Sequence, residues 1–350
     1  VLTVNLNTLP RDGVKVEEIM SRQPPPFAAF APDYQLLYSL AGKYAGTSNF
    51  IVIGRDGASF AFKALYTALA KYHTTKRISV IDCLDPDYLS YVRQKFRPED
   101  SLVIMVAERG DDPFAIQGLL AFQEYKKLLV TGEGALYRYG SLRELEMVRY
   151  PAINSRFTIG TEAALLPAAI IYVDVKSIVN GMHAVYRQCD PGRPFEENPA
   201  LQLAAALLVA ERHGFHDVFV PIYSKALSGS GQFLSHLMAG LGPTFVFGEA
   251  PAAEHHGPVI FLRVERPIHD VEISPDYHIS GVQEISSYAG VRLSEATAKF
   301  YEDERRGLGN LPSATITLDV LNPGTFGELF GFWQYVAVYS AWLRGLDPFV

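Results

Sequence analysis

Arg156 stands in the run Ser155-Arg156-Phe157-Thr158, just ahead of a long apolar stretch. A guanidinium stays charged at any working pH and offers planar donors, so it could steady a developing oxyanion. The plainer role for such a residue is an ion pair with a helix carboxylate. Gly54 and Gly57 bracket Arg55 and Asp56 after the apolar run Phe50-Ile51-Val52-Ile53, with Ser59 two residues on. Glycines there let backbone N–H groups approach an anion, and Ser59 could add a hydroxyl. An ordinary turn after a strand would use the same glycines. Arg109 and Gly110 sit in a second loop, Ala107-Glu108-Arg109-Gly110-Asp111-Asp112, where three carboxylates gather. Like charges ~4 Å apart cost on the order of 4 kcal/mol at an effective dielectric of ~20, so a phosphate would need Arg109 or a cation to prevail. Two carboxylates are a thin signal for a hard cation, and no metal site is expected. An Asp before Pro113 reads instead as a helix cap, satisfying free N–H groups.

His236, His255 and His256 are the candidate bases, since imidazole changes charge near neutral pH. His236 falls within an amphipathic stretch, where a polar residue on a helix surface is the commoner case. His255 and His256 are adjacent and do not face one way, which argues against a shared metal. Exposed loop histidines are common, and nothing in the spacing chooses between the two.

These residues need elements to position them. Continuous apolar runs at 50–53, 78–81, 102–106 and 128–130 read as buried strands, with helical patterns at 61–72 and 114–125 between them. The second half repeats the logic. A helix opens at Asn198-Pro199, strands follow at 218–221, 244–247, 259–262 and 315–318, and a last helix spans about 325–344. The expected organisation is α/β: an N-terminal segment and linker over 1–30, a first unit over 31–150 and a second over 151–350, each a mainly parallel sheet flanked by helices. The last helix is apolar on more than one face, which predicts burial against the other unit or against a second copy.

Of the 350 residues, 48% are hydrophobic and 20% charged, with a net charge of −7. An acidic chain without clustered Lys and Arg argues against nucleic-acid binding. No apolar run reaches the length of a membrane span, and no signal peptide opens the chain. Cys83 and Cys189 are far apart, so a disulfide framework is excluded and a reducing cytoplasm is the expected compartment. The start at Val1 rather than Met suggests a processed start or a piece of a longer chain.

Four segments resemble phosphoglucose isomerase. Ser155-Arg156-Phe157-Thr158-Ile159-Gly160-Thr161, running on to Leu165-Leu166-Pro167, is similar to the family's Gly-Arg-Phe-Ser-x-x-Thr-x-x-Gly-Leu-Leu-Pro. Asn198-Pro199-Ala200 with Pro221-Ile222-Tyr223-Ser224, Leu227-Ser228-Gly229 through Leu241-Gly242, and Gly345-Leu346-Asp347-Pro348-Phe349 follow in family order. The resemblance implies two sugar-isomerase (SIS) subdomains, interconversion of glucose 6-phosphate and fructose 6-phosphate through an enediol, no metal or organic cofactor, and a homodimer. It implies Arg156 as the enediolate-stabilising cation and the Gly54–Ser59 and Arg109–Gly110 loops as phosphate holders. The family's catalytic glutamate falls on Ala239 or Gly240, neither of which can accept a proton. His236 lies about one helical turn away, and Glu254-His255-His256-Gly257 is the candidate for the ring-opening histidine. The hydroxyls of the second phosphate loop are replaced by carboxylates. The family's Gln and Lys fall beyond Val350. Three expectations stand side by side. One is an active isomerase with a substitute base. Another is a non-catalytic sugar-phosphate-binding or structural module. The third is a related enzyme for a less anionic ligand that recruits Asp111, Asp112 and His236.

Overall fold

The computed structural model describes residues 1–248, 256–276 and 283–350. Its strands are β1 (Leu2–Asn5), β2 (Asn49–Ile53), β3 (Arg77–Ile81), β4 (Ser101–Ala107), β5 (Lys126–Thr131) and β6 (Glu146–Arg149), then β7 (Asp217–Pro221), β8 (Thr244–Gly248), β9 (Val259–Val264) and β10 (Ser313–Leu318). β2 to β6 form one parallel sheet in the order β3-β2-β4-β5-β6. β2 and β4 are buried along their whole length, as a parallel sheet covered on both faces requires. The second sheet runs β1-β10-β9-β7-β8, parallel except for β1. β1 and β6 are short and half-polar, so their apolar patterning is too weak to stand out in the sequence.

The first thirty residues do more than link. β1 pairs antiparallel with β10, Leu2 opposite Leu318. The proline-rich turn Pro26–Ala29 plants Phe27, 4% exposed, in the core, where its ring stacks on Phe157 at 5.1 Å between centroids. Side chains of both sheets belong to one continuous core, Val52 and Ile104 from the first and Ile260 and Leu262 from the second among them.

In each sheet the chain reverses direction once. From β2 it steps sideways to β3, then crosses back to β4 on the other flank. From β7 it steps to β8, then crosses back to β9. The carboxyl ends of β2 and β4, and of β7 and β9, are therefore the two places where successive loops diverge and a crevice can open.

The last helix, Pro323–Trp342, starts at a capping box between Asn322 and Thr325 and is buried from Thr325 to Trp342 except at Glu328. It packs against the helices Val175–Gln188 and Pro199–Arg212, so both apolar faces are covered within the chain. The approach is close because two glycines face backbone. A Cβ on Gly181 would stand 2.0 Å from the Gly324 carbonyl oxygen, and one on Gly327 2.0 Å from that of Ile178. Gly181→Ala is expected to lower the unfolding free energy by about 1–3 kcal/mol, since neither helix can retreat without opening the core. A urea midpoint equal to that of the parent would show that the helices can separate freely. Among the described residues, no helix is long and apolar enough to cross a membrane.

Candidate functional site

The crevice between β2 and β4 is where the sequence places its first anion loop, and Asp56 fills it. Asp56 is the N-cap of the helix Gly57–Leu65, accepting from the Ser59 backbone N–H at 3.1 Å and the Ser59 hydroxyl at 3.2 Å. Its second oxygen accepts from the Glu108 backbone N–H at 3.1 Å, across the crevice. The carboxylate thus takes up donors that an incoming phosphate would need. Burial pushes the Asp56 carboxyl above its usual range, only partly offset by the bonds from Ser59 and Glu108. The buried Tyr150 hydroxyl is raised well above the phenol range, by burial first and by the Asp56 charge next.

The glycines serve packing. A Cβ on Gly54 would meet the Ser59 hydroxyl at 1.9 Å and the Val106 carbonyl at 2.7 Å. Ser59, 1% exposed, lies under Gly54 and faces Asp56 rather than solvent. A Cβ on Gly57 would stand 2.0 Å from the Ser155 carbonyl oxygen. One on Gly110 would stand 2.7 Å from the Glu133 carbonyl oxygen, so Gly110 is where the second loop touches the loop after β5. Arg109 is exposed at the rim. Asp112 caps the helix Pro113–Ala121, as the position before proline predicts, and Arg55 lies 3.8 Å from its carboxylate. Asp111 accepts from the Ala135 N–H at the start of the helix Ala135–Leu142. Each of the three helix N-termini on this side of the crevice is met by a carboxylate of the chain itself.

A raised Asp56 carboxyl has a definite consequence for stability. From the usual value of 3.8 upward, the unfolded chain ionises first, so the folded state loses relative stability as pH rises through the folded value. Asp56→Asn keeps the cap but removes that loss. The melting-temperature difference, variant minus parent, is expected to grow as pH rises above the usual carboxyl value of 3.8. A constant difference would mean the buried carboxylate carries no ionisation penalty.

Arg156 lies across the loop from Gly57, in the turn Ser155–Gly160. That turn is held by the Asn154 side chain on the Arg156 N–H, by Glu108 on the Ser155 N–H at 3.2 Å, and by Gln334, which donates to the Phe157 carbonyl at 2.8 Å. The half-buried guanidinium donates to the carbonyl oxygens of Leu237 at 2.9 Å and Ala239 at 2.7 Å. Among the described residues no carboxylate lies within ion-pair distance of it, so the helix ion pair weighed from the sequence does not form. Arg156 instead closes the C-terminus of the helix Ser230–Met238, whose last carbonyls have no partner within the helix. Burial lowers its pKa somewhat, without threatening its charge.

His236 is on that same helix. Its ring meets Phe60 edge-on at 5.4 Å, and its buried Nε2 has no hydrogen-bond partner among the described residues. Burial, then the Arg156 charge, hold its pKa below 6.5, so the imidazole is neutral at pH 7. Ala239 is exposed with ordinary backbone angles, while Gly240 has φ +73°. Only Ala239 could carry a glutamate without backbone strain. His256 is exposed on the approach to β9, at the amino edge of the second sheet. His255 lies outside the described residues. Among the described residues, no three His, Cys, Asp or Glu side chains converge to hold a metal ion.

The structure therefore brings together Arg156, His236, Gly57 and the Asp56 cap, and Glu108, just ahead of Arg109 and Gly110, bonds to both Asp56 and the Ser155 N–H beside Arg156. Three contributors lie outside the sequence candidates. Glu108 and Gln334 position the Arg156 turn, and Lys63, on the helix Gly57–Leu65, donates to Asp82 after β3 and to Gln232 on the helix Ser230–Met238, each at 2.8 Å. Lys63 and Gln334 fall at polar positions of apolar helices, a signal for buried bonding but not for these partners. The wider clefts open elsewhere, beside the carboxyl ends of β7 and β9.

No protein-family model matches the chain. The protein named "Probable glucose-6-phosphate isomerase" of Methanococcus maripaludis is 24% identical over 336 residues, covering 86% of this chain and 75% of that one. A hypothetical protein of Thermus thermophilus has a crystal structure that superposes with a TM-score of 0.88 at 19% identity, over 100% of this chain and 96% of that one. A glucose-6-phosphate isomerase from Chlamydia trachomatis superposes with a TM-score of 0.73 at 17% identity, over 90% of this chain and 68% of that one.

Proposed function

We propose that this chain, a divergent member of the phosphoglucose isomerase family, is a non-catalytic sugar-phosphate-binding or structural module whose Arg156 centre does not itself interconvert glucose 6-phosphate and fructose 6-phosphate. The observation that carries the reading is Asp56. A carboxylate of the chain occupies the donors at the β2–β4 crevice, so a phosphate would have to displace a buried anion already hydrogen-bonded there. Two further features agree. By the resemblance the family's catalytic glutamate falls on Ala239 or Gly240, and neither can accept a proton. One of the Arg156 guanidinium nitrogens, Nη1, is engaged by the Leu237 and Ala239 carbonyls rather than by a ligand. Without a general base, about 10²–10⁴ in rate is forgone, and without a phosphate clamp the binding energy that positions the sugar is lost as well.

One observation favours a second reading, an isomerase with a rebuilt base. His236 is neutral at pH 7, half-buried beside Arg156, and its Nε2 is unpaired among the described residues. Fructose 6-phosphate formation from glucose 6-phosphate by the purified chain separates the two. The first reading expects no turnover above the buffer rate at high protein concentration. Turnover that vanishes in both Arg156→Ala and His236→Gln would replace it with the second.

A further inference from the structure

Two opposite charges stand on one side of β9 without meeting. Arg263 lies over the Tyr301 ring, 4.4 Å from its centre, and Glu265 follows two residues on. The Glu265 N–H bonds to the Leu318 carbonyl of β10 at 2.8 Å, as the Val259 N–H bonds to that of Pro312 at 3.0 Å, so the strand geometry runs on through 265. Alternation then puts 263 and 265 on the same side, about 7 Å apart along the strand. Among the described residues neither side chain has a partner within ion-pair distance, while their charged neighbours are engaged. Arg266 lies 3.5 Å from Asp319, and Asp270 accepts from the Ser294 N–H at 3.1 Å.

Both charges line a cleft of about 470 Å³ beside the carboxyl ends of β7 and β9, a volume that suits a small metabolite and its waters. Its floor is closed. The Tyr223 and Tyr301 rings pack edge-on at 5.9 Å, and their hydroxyls bond to Glu304 and Thr315. No slot is left between the rings, and the floor presents the Arg263 guanidinium. Around the mouth Ile268, Val271 and Leu293 are 60%, 59% and 47% exposed. Three large aliphatic side chains half in water at one opening carry a cost that a ligand's hydrocarbon would remove. A net anion would meet Glu265 and Asp270 here, and a net cation would meet Arg263 and Arg266. A small molecule that carries both charges satisfies both sides.

We propose that this cleft binds a free aliphatic amino acid as its zwitterion, with the carboxylate on Arg263, the ammonium on Glu265 and the hydrocarbon chain against Ile268, Val271 and Leu293. The guanidinium fork matches a carboxylate, and a hydrogen bond of about 2.9 Å at each end lets so small a zwitterion bridge the two side chains. The inference goes beyond the sugar-phosphate reading and does not rest on it. Calorimetric titration of the full chain with L-leucine tests it, beside isocaproate, which lacks the ammonium, and isoamylamine, which lacks the carboxylate. Saturable binding is expected for leucine, at least about tenfold tighter than for isoamylamine and at least about threefold tighter than for isocaproate. Arg263→Ala should weaken leucine binding about tenfold or more. Glu265→Gln, at an exposed position that leaves the core untouched, should weaken leucine binding about threefold without weakening that of isocaproate. No saturable binding of leucine below about 10 mM would overturn the proposal. So would isocaproate or isoamylamine binding as tightly as leucine, or a leucine affinity unchanged in both variants.

Discussion

Combining Ala239→Glu with Asp56→Ser is expected to create measurable formation of fructose 6-phosphate from glucose 6-phosphate, at least about 100-fold above Asp56→Ser alone. Ser at position 56 is still an N-cap residue, so the helix Gly57–Leu65 keeps its first-turn bond while the buried anion leaves the crevice. The Glu108 N–H, which the second Asp56 oxygen now holds, then becomes available to a phosphate. Glu at position 239 puts a carboxylate on the residue whose own carbonyl Arg156 already grips, and its exposed, unstrained backbone accepts the longer side chain. Gly240 is the wrong choice because φ +73° would strain any residue with a Cβ. A general base is worth about 10²–10⁴ in rate, far more than the change in affinity expected from clearing the loop. If the double variant is as inactive as the single one, the Arg156 region is not a dismantled isomerase centre and the alignment of its parts is coincidental.

Arg156→Ala is expected to destabilise the fold by about 2–3 kcal/mol, the loss of two charge-assisted bonds to the Leu237 and Ala239 carbonyls reduced by partial solvent access. The two carbonyls sit at a helix end where backbone acceptors have no partner of their own, so the penalty includes leaving them unpaired. Arg156→Lys should recover part of the loss, because an ammonium keeps the charge but not the planar fork. Chemical denaturation of the three proteins reads this directly. A loss below about 0.5 kcal/mol for the alanine variant would mean that water replaces the guanidinium at little cost. The tie to the helix end would then be incidental, and the side chain would be free for a ligand.

Much of the architecture was legible in the residue pattern. Strands such as Phe50–Ile53 and Leu102–Val106 are continuous apolar runs because both faces of a parallel sheet are covered, and their observed bounds differ by a residue or so. The helix opening at Asn198-Pro199 was legible from its cap and its proline. β1 and β6 were not, since a four-residue strand at a sheet edge has too few buried positions to leave a pattern. The leading segment read as a linker because prolines break helices and strands alike. Whether Phe27 would find a place beside Phe157 is a matter of tertiary packing.

At the candidate site the residue types alone set the kinds of groups available: an arginine, glycine turns after strands, carboxylates in the loops, and no glutamate at 239 or 240. They also set the local caps, since an Asp one residue ahead of a helix bonds within its own first turn whatever surrounds it. What those groups do follows from the packing. Asp56 could have faced solvent or a ligand, and it bridges to Glu108 because the crossover from β2 to β4 brings two loops, 52 residues apart in the chain, within hydrogen-bond reach. Arg156 could have met a phosphate or a carboxylate, and it meets two backbone carbonyls because the C-terminus of the helix Ser230–Met238 docks beside it. Partners so distant along the chain are chosen by how two sheets and their helices pack, and that information is carried by no local spacing of residues.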